Sequence, residues 1–204
     1  HDNKRYDIEI VENADSETYA KAKEGTVKNS RLICPETGND FAISEIRGDR
    51  RVNGENIYGL RLWENNDLVP HPDDILQERL YCVRWVETYT DERDRSQTRR
   101  HYCSVTESDL DRESKVLYLL DQRFHDWQEK GFIPNKRIER GGDKTEEPIR
   151  TRGWTHWHHL FNPRQLLLVS LFINSMELTN SQAQTSIILL LLGDFQVKNH
   201  SSFN

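Results

Sequence analysis

The chain has 204 residues, with 28 lysines and arginines against 34 aspartates and glutamates, a net charge of −6, and 35% hydrophobic and 30% charged residues. That length supports one good core or two small ones, and clustered aromatics take the composition out of the disordered range. The acidic balance excludes a protein that coats nucleic acid indiscriminately, because neutralising phosphates needs a basic face. Residues 5–12 alternate polar and apolar and predict a strand. Residues 16–24 predict a short helix, with Asp15 or Ser16 as N-cap and Gly25 as stop. Residues 27–34 and 41–44 flank the turn-forming Pro35-Glu36-Thr37-Gly38 and predict a hairpin. The clearest strands are 57–64 and 79–88, rich in Tyr, Leu, Val and Trp, joined by a polar loop, 65–78, that carries Pro70 and Pro72. A charged turn at 90–98 leads to a further strand at 99–105.

Composition then shifts. Thr106-Glu-Ser-Asp109 opens a helix that runs to about Lys130, with Leu110, Val116, Leu117, Leu120, Phe124 and Trp127 at helical spacing and Gly131 as the stop. Residues 135–152 are charged and glycine-containing and predict a mobile linker or flap. Residues 163–177 and 181–192 predict an apolar helical hairpin. Its apolar runs fall short of the roughly 20 residues that span a bilayer, so these are core helices and no membrane partner is expected. The fold class is α+β: a small β-rich, ribbon-like module over 1–105, then a helical region over 106–204 ending in that hairpin.

Three cysteines, Cys34, Cys82 and Cys103, form no CxxC pair and leave an odd thiol, which favours a reduced, cytoplasmic setting. The start of the chain is polar and charged, unlike a signal peptide. Cys82 and Cys103 could meet across two strands but would still lack a fourth ligand for a structural zinc. The carboxylates Asp73, Asp74, Asp91, Glu92, Asp109, Asp111 and Glu113 lie in predicted turns and helix starts, with no spacing that demands catalysis, so no catalytic residue is assigned.

The densest chemistry lies at residues 150–168, which gather three arginines, three histidines, two tryptophans and a phenylalanine. Asn162 is a good N-cap and Pro163 a good first helical residue. Arg164 and Gln165 then fall in a first turn whose free N–H groups favour an anion. Cationic and aromatic groups before such a helix suit a nucleic-acid surface, for which Arg150, Arg152, Trp154, His156, Trp157, Arg164 and Gln165 are the candidates. The competing reading makes 150–165 a structural elbow with Trp154, Trp157 and Phe161 as core. Two further arginine clusters, Arg47, Arg50 and Arg51, and Arg137 and Arg140 with Arg150 and Arg152, are candidates for local phosphate contact. His156, His158 and His159 lack a carboxylate at ligand spacing, which favours packing or phosphate contact over metal.

The run Gly153-Trp154-x-x-Trp157-x-x-Leu160-Phe161-x-Pro163-Arg164-Gln165-Leu166-Leu167 resembles a signature of the large bacterial and archaeal adenine-specific DNA methylases that contain a zinc ribbon. Cys34-Pro-Glu-Thr-Gly38 resembles that family's ribbon knuckle, although Thr37 stands where a second ligand is expected, which implies a ribbon without its metal. The resemblance implies part of an S-adenosylmethionine-dependent adenine-N6 DNA methyltransferase. The family's signature lies between a Gly-rich cofactor motif and an Asn/Asp-Pro-Pro-Tyr catalytic motif. Neither occurs here, so the chain reads as an internal fragment that by itself neither binds the cofactor nor methylates DNA. Implied partners are DNA through the parent enzyme, the rest of the methylase chain, and a second copy through the apolar hairpin. The alternative is a non-catalytic adaptor that binds nucleic acid or protein.

Overall fold

The computed structural model describes residues 8–176. They divide into two compact units: the chain up to Leu60 together with Pro72–Arg112, and Arg61–His71 together with the chain from Glu113. The fold is α+β, with small antiparallel sheets in the first unit.

In the first unit, helix α1 (Ser16–Glu24) begins where Asp15 Oδ1 accepts the Thr18 N–H at 2.7 Å and stops at Gly25. Strands β1 (Val27–Lys28), β2 (Arg31–Ile33) and β3 (Asp40–Ala42) form one sheet in that order. Asn29 and Ser30 at positive φ break the expected single strand into β1 and β2, and Cys34 to Gly38 turns the chain from β2 to β3. A one-turn helix, α2 (Ile43–Ile46), precedes the hairpin of β4 (Arg50–Val52) and β5 (Glu55–Ile57). That hairpin turns on Asn53-Gly54, both at positive φ, and Asn-Gly is a strong hairpin signal. Strands β6 (Cys82–Thr90) and β7 (Ser96–Ser104) make a separate two-stranded ribbon. Its register sets Cys82 opposite Ser104 and Val83 opposite Cys103, so the two cysteines project from opposite faces and do not meet. Residues 8–14 are loop and turn rather than strand, and residues 5–7 of that expected strand lie outside the described residues.

Helix α3 (Glu107–Asp121) starts with reciprocal bonds between Thr106 and Asp109: Thr106 N–H to Oδ2 at 3.0 Å and Asp109 N–H to Oγ1 at 3.3 Å. It carries the chain into the second unit. There a helix expected to run on to residue 130 is two, α3 and α4 (Phe124–Glu129). The apolar spacing continues through the break, which hides it in the sequence. Leu120, Phe124, Trp127, Phe132, Ile133 and Leu166 form the core, with Leu68, Val116 and Phe161 packed against it. The expected linker is ordered over 143–152 as helix α5 (Asp143–Arg152), with Ile149 buried on one side. Pro148 inside α5 reads as a helix breaker, and that obscured the helix. Helix α6 (Pro163–Met176) begins at Asn162-Pro163 as expected. The second helix of the hairpin, 181–192, lies outside the described residues. Among the described residues no helix is long and apolar enough to cross a membrane.

Candidate nucleic-acid interface

The elbow belongs to the second unit, beside the segment 61–71. The expected strand at 57–64 stops at Ile57, and beyond it the chain finds side-chain partners instead of a ladder. Gly153 ends α5 in the left-handed conformation at φ 76°, and its carbonyl accepts the Trp63 N–H at 2.8 Å. Three consecutive carbonyls then meet three side chains of the motif Thr155-His-Trp-His-His159. The Thr155 hydroxyl donates to Trp63 O at 2.6 Å, His159 Nε2 lies 3.1 Å from Glu64 O, and His158 Nε2 lies 2.9 Å from Asn65 O. The side-chain amides of Asn65 and Gln128 bond reciprocally at 2.7 and 3.0 Å. Trp63 stands edge-on to Trp154 and to His159, and Phe124 edge-on to His158.

These contacts fix the tautomers of His159 and His156. His159 Nδ1 accepts the Thr155 N–H at 3.1 Å and the His156 N–H at 3.3 Å, so the proton sits on Nε2, which donates to Glu64 O. Because the Thr155 proton is used on Trp63, its oxygen accepts from His156 Nδ1 at 2.9 Å. His158 has both nitrogens 2.9 Å from carbonyl oxygens, those of Pro134 and Asn65, and a neutral ring can donate to only one of them. Burial pushes the His158 pKa down to about 4. Burial and the neighbouring His158 push His159 to about 3. Nearby, Asp67 is buried and accepts from the Arg61 guanidinium, from the Glu64 N–H at 2.8 Å and from His71 at 2.8 Å. Burial raises its pKa, but these bonds outweigh that and hold it below the ordinary carboxylate value.

The structure separates the seven candidate residues. Trp154 is core, only 9% exposed, whereas Trp157 is 38% exposed. Trp157→Ala is therefore expected to cost about 1 kcal/mol or less in urea denaturation, and a loss of several kcal/mol would place its ring in the core after all. Gln165 forms a reciprocal cap with Asn162, each bond 3.0 Å, so its N–H is not open to an anion. Arg164 pairs with Glu113 at 3.1 Å. Arg150 is half-buried and Arg152 exposed in the last turn of α5, with the Arg152 guanidinium 5.9 Å from the Trp154 ring centroid. His156 is half-buried. A backbone bridge couples Arg137 to His156, and the Trp157 N–H donates to Lys136 O at 3.1 Å. The elbow thus has a rim of Lys136, Arg137, His156 and Trp157, where burial and then the Arg137 charge lower the His156 pKa.

Sequence reasoning missed Trp63, Asn65, Asp67 and Gln128, because Trp63 fell in the expected strand 57–64, Asn65 and Asp67 in the polar loop 65–78, and Gln128 in the helix expected to run to Lys130. In the first unit, hydrogen bonds from the Thr37 side chain, then from the Thr37 and Glu36 backbone, draw the Cys34 thiol below its ordinary pKa. Among the described residues no group of three or more His, Cys, Asp or Glu could hold a metal ion. Comparison of the chain with protein-family models, with curated proteins and with solved structures finds no match.

Proposed function

We propose that the chain is a segment of a cytoplasmic, S-adenosylmethionine-dependent adenine-N6 DNA methyltransferase, contributing DNA contacts and core packing. One observation above all supports the DNA contact. The Arg137–His156 bridge and the Trp157 N–H on Lys136 O set two cations, an imidazole and an exposed tryptophan on two adjoining backbone segments. Exposed aromatics beside cations suit stacking on bases and neutralising of phosphates. The clamp of Thr155, His158 and His159 on the carbonyls of residues 63–65, with Trp154, supplies the packing share of the role.

Among the described residues, the one Gly-Gly pair does not form a cofactor cradle. Gly141-Gly142 opens α5, but no strand leads into it, and the Glu146 carboxylate takes the Gly141 N–H at 3.0 Å. The cofactor therefore belongs to the rest of the enzyme, and no catalytic step is assigned to this chain. A second reading, an adaptor bound to protein, is favoured by the exposed Leu168, Leu171 and Phe172, which share one face of α6 and would meet either the rest of the methylase or a second copy.

Fluorescence anisotropy with the full 204-residue chain and duplex DNA tests the DNA reading. Arg137→Ala combined with Trp157→Ala should weaken binding about tenfold, since stacking one base contributes about 1–3 kcal/mol. An unchanged affinity, or no binding by the unmodified chain at low salt, overturns it.

A further inference from the structure

We infer that the β6–β7 ribbon is a duplex-DNA contact, docked through the face that carries Arg84 and Arg100. The inference rests on the reading that this chain touches DNA and names a second surface for it. Each strand has nine residues, and no residue of either strand is buried. Two-stranded ribbons are marginal in water without cover, so a surface of this kind calls for a partner.

The two faces differ in charge. On one, Glu87 pairs with His101 at 3.1 Å and stands opposite Arg99, whose guanidinium lies 5.1 Å from the Tyr89 ring centroid. That face neutralises itself. On the other, Arg84 is opposite Tyr102, Arg100 opposite Val86, and Thr88 opposite Thr98. This second face carries no acid from either strand. Neither Arg84 nor Arg100 has an ion-pair partner among the described residues. Glu12 accepts the Tyr102 backbone N–H at 2.9 Å, but backbone N–H groups lie in the sheet plane, so this carboxylate sits at the edge of β7 and not over the face.

Arg84 and Arg100 are diagonal cross-strand neighbours, about 7–8 Å apart across the ribbon, and both can reach phosphates of one groove. Tyr102 and the threonine hydroxyls add hydrogen-bonding groups between and beside them. The occupant follows from shape and charge together. A B-DNA major groove about 12 Å wide admits a two-stranded ribbon, whereas the major groove of an RNA duplex is too narrow. The ribbon lies along the groove instead of entering tip first. Its turn holds Asp91, Glu92 and Asp94, and Asp91 is already engaged by the Arg95 guanidinium and by the backbone of Arg93 and Arg95.

The test is anisotropy of a labelled DNA duplex with the full chain, repeated over a salt series. R84A/R100A should weaken binding about tenfold and reduce the slope of log K against log salt by about 2, one phosphate for each arginine. R84K/R100K keeps both charges and should keep the slope, which separates lost charge from a disturbed ribbon. An RNA duplex of the same length should compete poorly. A salt slope untouched by R84A/R100A, or equal competition by duplex RNA, overturns the inference. If that slope is untouched while Arg137→Ala with Trp157→Ala weakens binding, the ribbon assignment falls and the elbow-rim reading stands. If the unmodified chain binds no duplex at low salt, both fall.

Discussion

Gly153→Ala is expected to lower the stability of the second unit by at least about 3 kcal/mol, the combined effect of left-handed backbone and a steric clash. Gly153 sits at φ 76°, where a side chain is strained whatever the space around it. An added Cβ would lie 2.1 Å from Arg61 O, well inside contact distance. The obstacle is backbone, so it cannot rotate away. It can only retreat by dragging the segment whose next links are the Trp63 N–H on Gly153 O and the Thr155 hydroxyl on Trp63 O. Relief of the clash therefore breaks the clamp that holds residues 63–65. A shift of the urea midpoint equivalent to less than 1 kcal/mol, on the order of a surface substitution, would show that Gly153 has more room than the geometry gives it.

Acid should destabilise the same unit well before its carboxylates titrate. His158 and His159 are buried and neutral, with pKa values pushed down to about 4 and about 3, below the ordinary histidine value near 6.5. The unfolded chain then binds more protons than the folded one below about pH 6.5, so stability falls as pH falls. Their contribution is fully present above about pH 6.5 and is lost progressively down to the folded values. At pH 5 the two together should cost on the order of 4 kcal/mol. Asp67, whose pKa lies below the ordinary carboxylate value of 3.8, loses its contribution only as pH falls through that region. The window from pH 6.5 to 4 therefore reports the histidines. Denaturation curves that give constant stability between pH 6.5 and 5 would mean that these rings are not held neutral.

Local devices were legible in the sequence. The caps at Asp15 and at Asn162-Pro163, the Thr106–Asp109 start, and the turn from Cys34 to Gly38 all act within a few residues, where residue type fixes the hydrogen bond. The Asn53-Gly54 hairpin has the same local character, since Asn-Gly favours the positive φ that both residues adopt. Helix α5 was obscured by Pro148, which tertiary burial of Ile149 overrides. The clamp could not be read in advance. Thr155, His158 and His159 bond to carbonyls 92 to 95 positions away, and every residue has a carbonyl, so their partners have no sequence signature. The same holds for the two tryptophans: identical chemistry three positions apart gives one core residue and one rim residue, because Trp154 faces Trp63 while Trp157 follows the backbone beside Lys136.

The division of the elbow into a neutral buried clamp and an exposed rim is tested most directly by NMR of the imidazole nitrogens over a pH series. The expected result is His159 as the Nε2–H tautomer, with His158 and His159 both uncharged down to about pH 5. Titration of either ring near its ordinary value of 6.5, or an Nδ1–H proton on His159, would contradict it.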